Sequence, residues 1–186
     1  MATPAPKHIH FDAVFWFLRR VHTSNVLKRR TLSSAELDDL TQRLAKFLEG
    51  ENLKKLLKKG ATAADLGKAT VVSIGSYYFV VAGGTCFPAL AQANSRILDR
   101  LPSVYVDRGA VQKIANGADV MRPGITRMDA FEKDDVVVVR DDVHSKPLAV
   151  GQALASSVEA AATSHGRVVK NLHHVDDTIW KNVNNV

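Results

Sequence analysis

The stretch SVYVDRGAVQKIANGADVMRPGI, residues 103–125, decides the fold of the second half of this chain. It begins with three β-formers, Val104 to Val106. Three apolar residues then share one face of a short helix: Val111, Ile114 and Ala115. Gly117 stands where a helix C-terminus favours a left-handed residue. Arg122-Pro123-Gly124 predicts a tight turn, in which proline presets φ and glycine tolerates a strained position.

The residues that follow predict further short strands. Val136–Val139 is a continuous run of valines, which indicates a strand buried on both faces. Leu148–Leu154 and Arg167–Val175 predict two more strands, with Ala160–Gly166 as an irregular or briefly helical link. Several short strands with turn signals between them are typical of a small barrel. We therefore expect residues 103–183 to form a mostly β domain.

The residues before the stretch predict a compact α/β unit over residues 26–101. Ser33 and Glu36 have the spacing of a capping box at a helix start. The apolar face of that helix is Leu37, Leu40, Leu44, Phe47 and Leu48. Gly50 is expected to end it, and Leu53–Lys58 predicts a second, shorter helix.

A hairpin and a third helix complete this unit. Thr70–Ile74 and Tyr77–Val81 are β-runs separated by Gly75-Ser76, a two-residue hairpin signal. Pro88 suits the first turn of a helix. The face of that helix is expected to be Leu90, Asn94, Ile97, Leu98 and Leu101. The predicted fold class is therefore α+β, with an N-terminal α/β domain followed by a small β pseudo-barrel.

Composition limits the kind of protein. A chain of 186 residues with 46% hydrophobic content fits one domain or two small ones. The single cysteine, Cys86, excludes an internal disulfide framework and favours a reducing compartment, so we expect a cytoplasmic protein. The sequence holds no apolar run of about 18 residues or more, and we expect no membrane partner.

The positive charge is concentrated in the first third of the chain. The formal net charge is +6, and residues 1–60 carry 12 Lys and Arg against 6 Asp and Glu. Residues 61–186 carry 13 of each. Such a basic excess suits a polyanionic partner, because each phosphate neutralised by Lys or Arg releases counterions. It also fits a basic surface that only aids solubility.

An aromatic segment near the N-terminus has three interpretations. Residues 10–22, HFDAVFWFLRRVH, have apolar side chains at helical spacing. The segment could pack on the domain, lie on a membrane surface or belong to a mitochondrial presequence, since basic residues surround the single acid Asp12. We treat residues 1–25 as an N-terminal extension whose role stays open.

The sequence offers no catalytic set, metal site or cofactor site. Cys86 has no basic sequence neighbour to lower its pKa. Adjacent His173 and His174 point to opposite faces of a strand, so they are poorly placed to share a metal, and we expect one packed and one exposed. Asp134-Asp135 and Asp141-Asp142 lack a glycine-centred ligand loop and are expected to lie in solvated turns. We expect a protein that is not an enzyme.

Cations near the deciding stretch are candidates for RNA contact. Arg108, Lys113, Arg122 and Arg127 face only two acids there, Asp107 and Asp119. Gly109 and Gly124 flank them, and a missing side chain lets a phosphate or ribose approach the backbone. In the alternative interpretation, the glycines only serve turns and the arginines only aid solubility.

The sequence VDRGAV, followed by GADVMRPGI, resembles the opening of a PUA domain. It looks closest to the translation factors with a pre-PUA domain, the malignant T-cell amplified sequence protein and ligatin family and its archaeal homologues. The closing segment GRVVKNLHHVDDTIWKNV, residues 166–183, is similar to that family's last strand and tail. VLKRRTLSSAEL, residues 26–37, looks like the family's ordinary start, whereas identity in the rest of the first unit is thin.

The resemblance implies a surface and a role. In PUA domains the RNA surface generally comes from the first helix, the second strand and the last strand. The resemblance thus implies an RNA-binding set that combines the cations and glycines above with their neighbours: Arg108, Gly109, Ala110, Lys113, Arg122, Pro123, Gly124, Ile125, Arg127 and Lys170. The family binds the small ribosomal subunit and the acceptor end of tRNA, in initiation or subunit recycling. The resemblance also implies that this chain works with a partner like the density-regulated protein.

Two other classes of function compete with this non-enzymatic RNA-binding translation factor. A ribosome-biogenesis factor that binds pre-rRNA through a PUA domain would have a similar size and layout. An RNA-modifying enzyme is a third class, because PUA domains often accompany such catalytic domains. The roughly 100 residues before the PUA unit leave little room for a catalytic domain. Composition does not distinguish the first two classes.

Overall fold

The computed structural model describes residues 29–58 and 60–183, so the aromatic segment at residues 10–22 lies outside them. These residues form two sheets, with strand order β1-β2-β3-β4-β5 in the first and β7-β11-β10-β9-β6-β8 in the second. The first sheet contains β1 (Arg29–Thr31), β2 (Ala61–Asp65), β3 (Ala69–Ile74), β4 (Tyr77–Ala82) and β5 (Thr85–Pro88). The second contains β6 (Ser103–Val106), β7 (Val120–Met121), β8 (Ile125–Met128), β9 (Val136–Asp141), β10 (Pro147–Ala153) and β11 (Arg167–His174).

Short helices connect and cover the sheets. They are α1 (Ser34–Leu44), α2 (Leu53–Lys58), α3 (Ser95–Leu98), α4 (Arg108–Ala115), α5 (Ser157–Ala162) and α6 (Thr178–Asn182). Three 3-10 turns accompany them, Ala45–Phe47, Gln92–Asn94 and Arg122–Gly124. In the part of the chain that the structure describes, no helix is long and apolar enough to cross a membrane. The predicted α+β class, an α/β unit followed by a small pseudo-barrel, is confirmed.

The capping box at Ser33 and Glu36 is present as predicted. The hydroxyl of Ser33 accepts from the Glu36 N–H at 3.3 Å, and the Glu36 carboxylate accepts from the Ser33 N–H at 2.9 Å. The bonds that the Glu36 carboxylate accepts from the Ser33 N–H, the Ser33 hydroxyl and Arg30 lower the pKa of Glu36 to about 2, because the ionised carboxylate is the better acceptor. The helix that they start ends at Leu44 and continues as a 3-10 turn, so it stops short of Gly50.

The predicted hairpin in the first sheet is confirmed, whereas the prediction of a helix that starts at Pro88 is wrong. Gly75 turns between β3 and β4 with φ of +63°. Pro88 is the last residue of β5 and pairs with Phe79. The buried Asn94 side chain donates to the carbonyls of Tyr78 and Ala89. These bonds hold the following chain against β4, so only a 3-10 turn and one helical turn form after it.

The second sheet nearly closes into a barrel. Its edge strands, β7 and β8, are joined by the turn Arg122–Gly124, which brings the two edges together. Strand β9 pairs parallel with β6 and antiparallel with β10. The strands predicted at Leu148–Leu154 and Arg167–Val175 are shifted by one residue or less at each end. The link between them contains α5, which starts earlier than the predicted irregular segment.

The valine strand explains how the two units pack. Val137 and Val139 lie in the barrel core, whereas Val136 and Val138 join the core of the first unit. All four are at most 5% exposed, which confirms burial on both faces. Val150 of β10, Ile179 of α6 and Val183, which directly follows α6, share that first core. The apolar core therefore runs continuously from the first sheet onto the outer face of the second.

Arg140 closes the junction between the units. Its buried guanidinium donates to the carbonyls of Leu98 and Ser145, to Ser103 Oγ and to the Asp99 carboxylate, at distances of 2.9–3.2 Å. A buried guanidinium needs all its donors satisfied, and here both units supply the acceptors. The domain boundaries at residues 26–101 and 103–183 stay a prediction.

Candidate nucleic-acid interface

The start of helix α4 is joined to the turn at residues 122–124. The Asp107 carboxylate accepts from the Ala110 N–H at 2.8 Å and caps the helix. The Asp107 N–H donates to the carbonyl of Gly124 at 2.9 Å. A Cβ at Gly124 would lie 2.9 Å from the Cβ of Ala110. The helix and the turn can therefore meet at this distance only with glycine at position 124.

This contact corrects the interpretation of Gly124. The sequence predicts a glycine that tolerates a strained backbone position, but Gly124 does not have a positive φ. The turn is a short 3-10 segment, which any residue can adopt. Glycine is needed there for close packing. Gly117, by contrast, has φ of +89° just after α4, as predicted.

A groove of about 520 Å³ opens beside this contact. One wall is α4, the second is the segment from Ala118 to Gly124, and the third is the loop at His165 and Gly166. The lining residues are Asp107, Gly109, Ala110, Lys113, Ile114, Ala118, Asp119, Met121, Pro123, Gly124, His165 and Gly166. Most of them are apolar or glycine, and the charged ones lie among them.

Half of the residues predicted to bind RNA line this groove. They are Gly109, Ala110, Lys113, Pro123 and Gly124. Arg108 does not line it, but it is exposed in the first turn of α4, next to Gly109. Ile125 is 7% exposed and belongs to the barrel core. Lys170 is exposed on β11 opposite Gln152, outside the groove.

Two of the predicted arginines have partners within the fold. The guanidinium of Arg122 donates to the carbonyl of Ala160 at 2.8 Å and to that of Ile125 at 3.2 Å. Arg127 lies over the ring of Tyr105, 3.2 Å from its centroid, and pairs with Asp142 at 3.3 Å. Arg122 therefore ties α5 to the turn, and Arg127 lies on the edge strand β8 away from the groove.

A polar network that sequence reasoning missed supports the groove wall. Asp119 accepts from the backbone N–H of Asn171 at 2.9 Å and from Arg167 at 3.0 Å. The Asn171 amide donates to the carbonyls of Ile114 and Ala118 at 3.1 and 3.0 Å. The first carbonyl lies in the last turn of α4 and the second lies three residues after the helix, so the network anchors that end of α4 to β11. No local sequence signal links residues about 50 positions apart.

The acidic turns act as structural elements. Burial raises the pKa of Asp141, but bonds from the backbone N–H groups of His144 and Lys146 outweigh it, and the pKa is lowered. Asp141 thus stabilises the β9–β10 hairpin.

Among residues 29–58 and 60–183, no three His, Cys, Asp or Glu side chains are grouped to hold a metal ion. Cys86 is buried, which raises the pKa of its thiol.

The two adjacent histidines differ in environment. His173 is fully buried, as expected for one of the pair, and bonds to Asp177. His174 is half-buried, whereas we expected one histidine of the pair to be exposed. It packs near Gly117, where an added Cβ would lie 3.2 Å from its Nε2 atom.

Comparison with known proteins agrees with this geometry. The PUA domain family matches residues 102–175. An uncharacterized protein of Methanocaldococcus jannaschii is 46% identical over 88 residues, covering 45% of this chain and 54% of its own. Translation machinery-associated protein 20 of Schizosaccharomyces pombe is 33% identical over 105 residues, covering 54% and 58%. The Malignant T-cell-amplified sequence 1 homolog of Drosophila melanogaster is 35% identical over 94 residues, covering 46% and 52%.

The matches extend to a solved structure. A hypothetical protein of Pyrococcus horikoshii superposes with a TM-score of 0.67 at 29% identity, covering 83% of this chain and 99% of its own. The chain spans about half the length of the curated relatives that it matches. Residues 102–175 therefore match the PUA domain family, and the chain is similar to the translation machinery-associated protein 20 and malignant T-cell-amplified proteins, as its sequence predicts.

Proposed function

We propose that this protein is a non-enzymatic RNA-binding translation factor. It acts on the small ribosomal subunit and the acceptor end of tRNA, in initiation or in subunit recycling. The observation that carries the proposal is the groove beside α4 of the PUA domain, with exposed cations at its rim. The names of the relatives, which refer to the translation machinery, support the same direction.

The chemistry of the groove suits an unpaired nucleotide. Its apolar lining includes Met121 and Pro123, which are exposed and offer a surface for the face of a base. Arg108 and Lys113 are exposed on α4, where they can neutralise the phosphates that flank that base. Gly109 has no side chain to block the approach of the sugar-phosphate backbone.

The carboxylates of the groove favour binding over catalysis. One oxygen of Asp107 caps α4, and both oxygens of Asp119 accept hydrogen bonds from β11. A general base needs a carboxylate free to take a proton from substrate. These carboxylates instead hold the walls of the groove in position, so we assign them a structural role.

The wider context of the proposal includes a partner and a location. We propose that residues 26–101 form the pre-PUA domain and dock a protein like the density-regulated protein, whereas residues 103–183 form the RNA-binding domain. We also propose that the protein works in the cytoplasm. The single buried cysteine fits a reducing compartment, and the relatives named for the translation machinery agree with it.

Sedimentation with isolated ribosomal subunits tests the proposal. The purified chain is mixed with small or large subunits, with and without initiator tRNA, across a salt series. We expect co-migration with mature small subunits that strengthens when tRNA is present. Association only with precursor particles would contradict the proposal and support a role in ribosome biogenesis.

A double variant, Arg108→Ala with Lys113→Ala, tests the surface. Both side chains are exposed, so the variant should fold normally. For binding to single-stranded RNA, the slope of the logarithm of the binding constant against the logarithm of salt concentration should become less negative by about 0.7 for each lost phosphate contact. Lys68→Ala is a matched control, because Lys68 is an exposed cation in the β2–β3 turn. An unchanged salt slope in the double variant would remove this surface from the proposal.

A further inference from the structure

Helix α2 of the first unit presents three lysines on its exposed side. We propose that Lys54, Lys55 and Lys58 contact the sugar-phosphate backbone of double-stranded RNA, as a binding surface separate from the groove beside α4. The inference rests on the proposed function, because it takes RNA as the ligand, and it extends that function to the first unit. All three lysines lie outside residues 102–175, which match the PUA domain family.

The helix is fixed to the first sheet, so its outer face has a defined position. The Asn52 side chain accepts from the Lys55 N–H at 3.0 Å and holds the start of the helix. The leucines of the helix pack on the core of the first unit: Leu53, Leu56 and Leu57. A Cβ at Gly75 would lie 2.9 Å from Cδ2 of Leu56, so the helix lies directly against the β3–β4 turn. Because the leucines occupy the inner face, the lysines are held on the outer one.

The positive charges on this face are unpaired. Among the described residues, none of the three lysine side chains has a hydrogen-bond or ion-pair partner. The helix contains no acid, and Lys54 and Lys58 stand four residues apart, where like charges repel. By contrast, Arg30, Arg43 and Arg167 each pair with a carboxylate. A repulsive set without its own counter-charge favours a polyanionic ligand that supplies one.

The neighbouring acids do not cancel this charge. The carboxylate of Glu51 accepts from the Tyr77 hydroxyl at 2.9 Å, and Arg100 donates to the backbone carbonyl of Glu49 at 2.6 Å. Burial and the bond to Glu51 raise the pKa of Tyr77. The nearby charges of Arg96 and Arg100 act against that rise. The two acids are thus balanced by two arginines, and the lysines of α2 remain as the excess.

The chemistry of this face suits phosphates. A lysine ammonium is a compact point charge that contacts phosphate oxygens without reading sequence. The helix has no aromatic side chain on which an unpaired base could stack, and its leucines face away from a lipid layer or an apolar protein surface. An RNA duplex presents phosphates and keeps its bases stacked inside. We therefore assign α2 to the double-stranded part of an RNA, and the groove to an unpaired nucleotide.

Fluorescence anisotropy with a labelled, blunt-ended RNA duplex tests the inference across a salt series. The full chain is compared with a triple variant, Lys54→Gln, Lys55→Gln and Lys58→Gln, because glutamine has a helix propensity close to that of lysine. We expect the affinity of the triple variant to fall by about two- to fivefold for each lost contact. The slope of the logarithm of the binding constant against the logarithm of salt concentration should become less negative by about 0.7–0.9 for each contact.

Two controls separate position from charge. Lys68→Gln, Lys133→Gln and Lys146→Gln together remove the same charge from three exposed connections between strands, and should leave duplex binding within about twofold. Arginine at the three α2 positions keeps the charge and should retain the affinity. Urea unfolding should show that all three variants are as stable as the unsubstituted chain, because every substituted side chain is exposed.

Other results separate the inference from the proposed function. If both glutamine variants lose affinity equally, net charge governs binding and the inference is wrong. If the α2 glutamine variant binds the duplex as tightly as the unsubstituted chain does, the inference is also wrong while the proposed function stands, and an acidic protein segment becomes the partner that fits these lysines. If the unsubstituted chain binds neither duplex nor single-stranded RNA, the proposed function fails, and the role of α2 fails with it.

Discussion

The Nδ1 atom of His173 lies 2.7 Å from Oδ2 of Asp177, and this contact fastens the last strand to the C-terminal helix. The same carboxylate accepts from the backbone N–H groups of His174 and Trp180, at 3.0 and 2.7 Å. Asp177 therefore caps α6 and holds a fully buried histidine at once. Ile179 of α6 packs into the core of the first unit, so the pair also supports the junction.

Asp177 should contribute stability that acid removes. Burial raises the pKa of Asp177, but the bonds from His173 and the two backbone N–H groups outweigh it, and the pKa is lowered. A carboxyl with a lowered pKa in the folded state stabilises the fold above its unfolded value of about 4 and loses that effect as pH falls through the folded value. Asp177→Asn should lower the free energy of unfolding at pH 7 by about 1–3 kcal/mol.

Urea unfolding at neutral pH and at about pH 3 checks this pH dependence. The difference between Asp177→Asn and the unsubstituted chain should shrink in acid. Asp176→Asn is the control, because Asp176 is exposed and pairs with Lys181 at the surface. A difference of the same size at both pH values would mean that the charge of Asp177 is not what stabilises the junction.

Arg140 and Asp99 should contribute unequally, although they pair at 2.9 Å. The Arg140 side chain is 9% exposed and that of Asp99 is 66% exposed. Arg140→Met leaves buried acceptors from both units without a donor, so we expect a loss of about 3 kcal/mol in unfolding free energy. Asp99→Asn should cost less than about 1 kcal/mol, because its charge faces water. Equal losses in urea unfolding would show that the ion pair, and not the set of buried acceptors, determines the stability of the junction.

Substitution of Arg122 should mainly lower the free energy of unfolding, whereas substitution of Arg108 should mainly weaken RNA binding. Arg122→Ala removes two bonds to backbone carbonyls and should lower the unfolding free energy by about 1–2 kcal/mol. Arg108→Ala should change stability by less than about 0.5 kcal/mol and should weaken RNA binding. Thermal unfolding and RNA titration of both variants check this. If Arg122→Ala is as stable as the unsubstituted chain, its carbonyl contacts are not maintained in solution.

Gly151 should be the glycine least tolerant of a side chain. It lies at a register shift in β10, and a Cβ there would overlap a methyl group of Val169 and lie 2.6 Å from the carbonyl oxygen of Lys170. Gly151→Ala should cost more than about 2 kcal/mol, because two backbones must separate. Gly67→Ala is the comparison: φ there is +81° with open space around it, so about 1 kcal/mol is expected. Similar losses in urea unfolding would rule out steric overlap as the cause.

Much of the fold could be predicted because its signals are local. The capping box depends on Ser33 and Glu36 alone, and the turn at Gly75 depends on the φ that glycine permits. The valine strand was predictable because a continuous apolar run can be satisfied only by burial on both faces. The helix expected at Pro88 failed because Asn94 bonds to residues of a neighbouring strand, and helix propensity does not include such contacts.

Only half of the candidate site could be predicted, because local sequence signals do not include contacts between distant segments. Residue type and order determined by themselves that a strand, the short helix α4 and a turn follow one another, and that cations accompany them. Only the tertiary structure decided which cations reach the groove. In the folded chain Arg122 donates to carbonyls of α5 and β8, and Arg127 lies over the ring of Tyr105. His165 lines the wall of the groove opposite α4. Local patterns arise from the chain's own dihedrals and neighbours, whereas a groove depends on contacts between segments far apart in sequence.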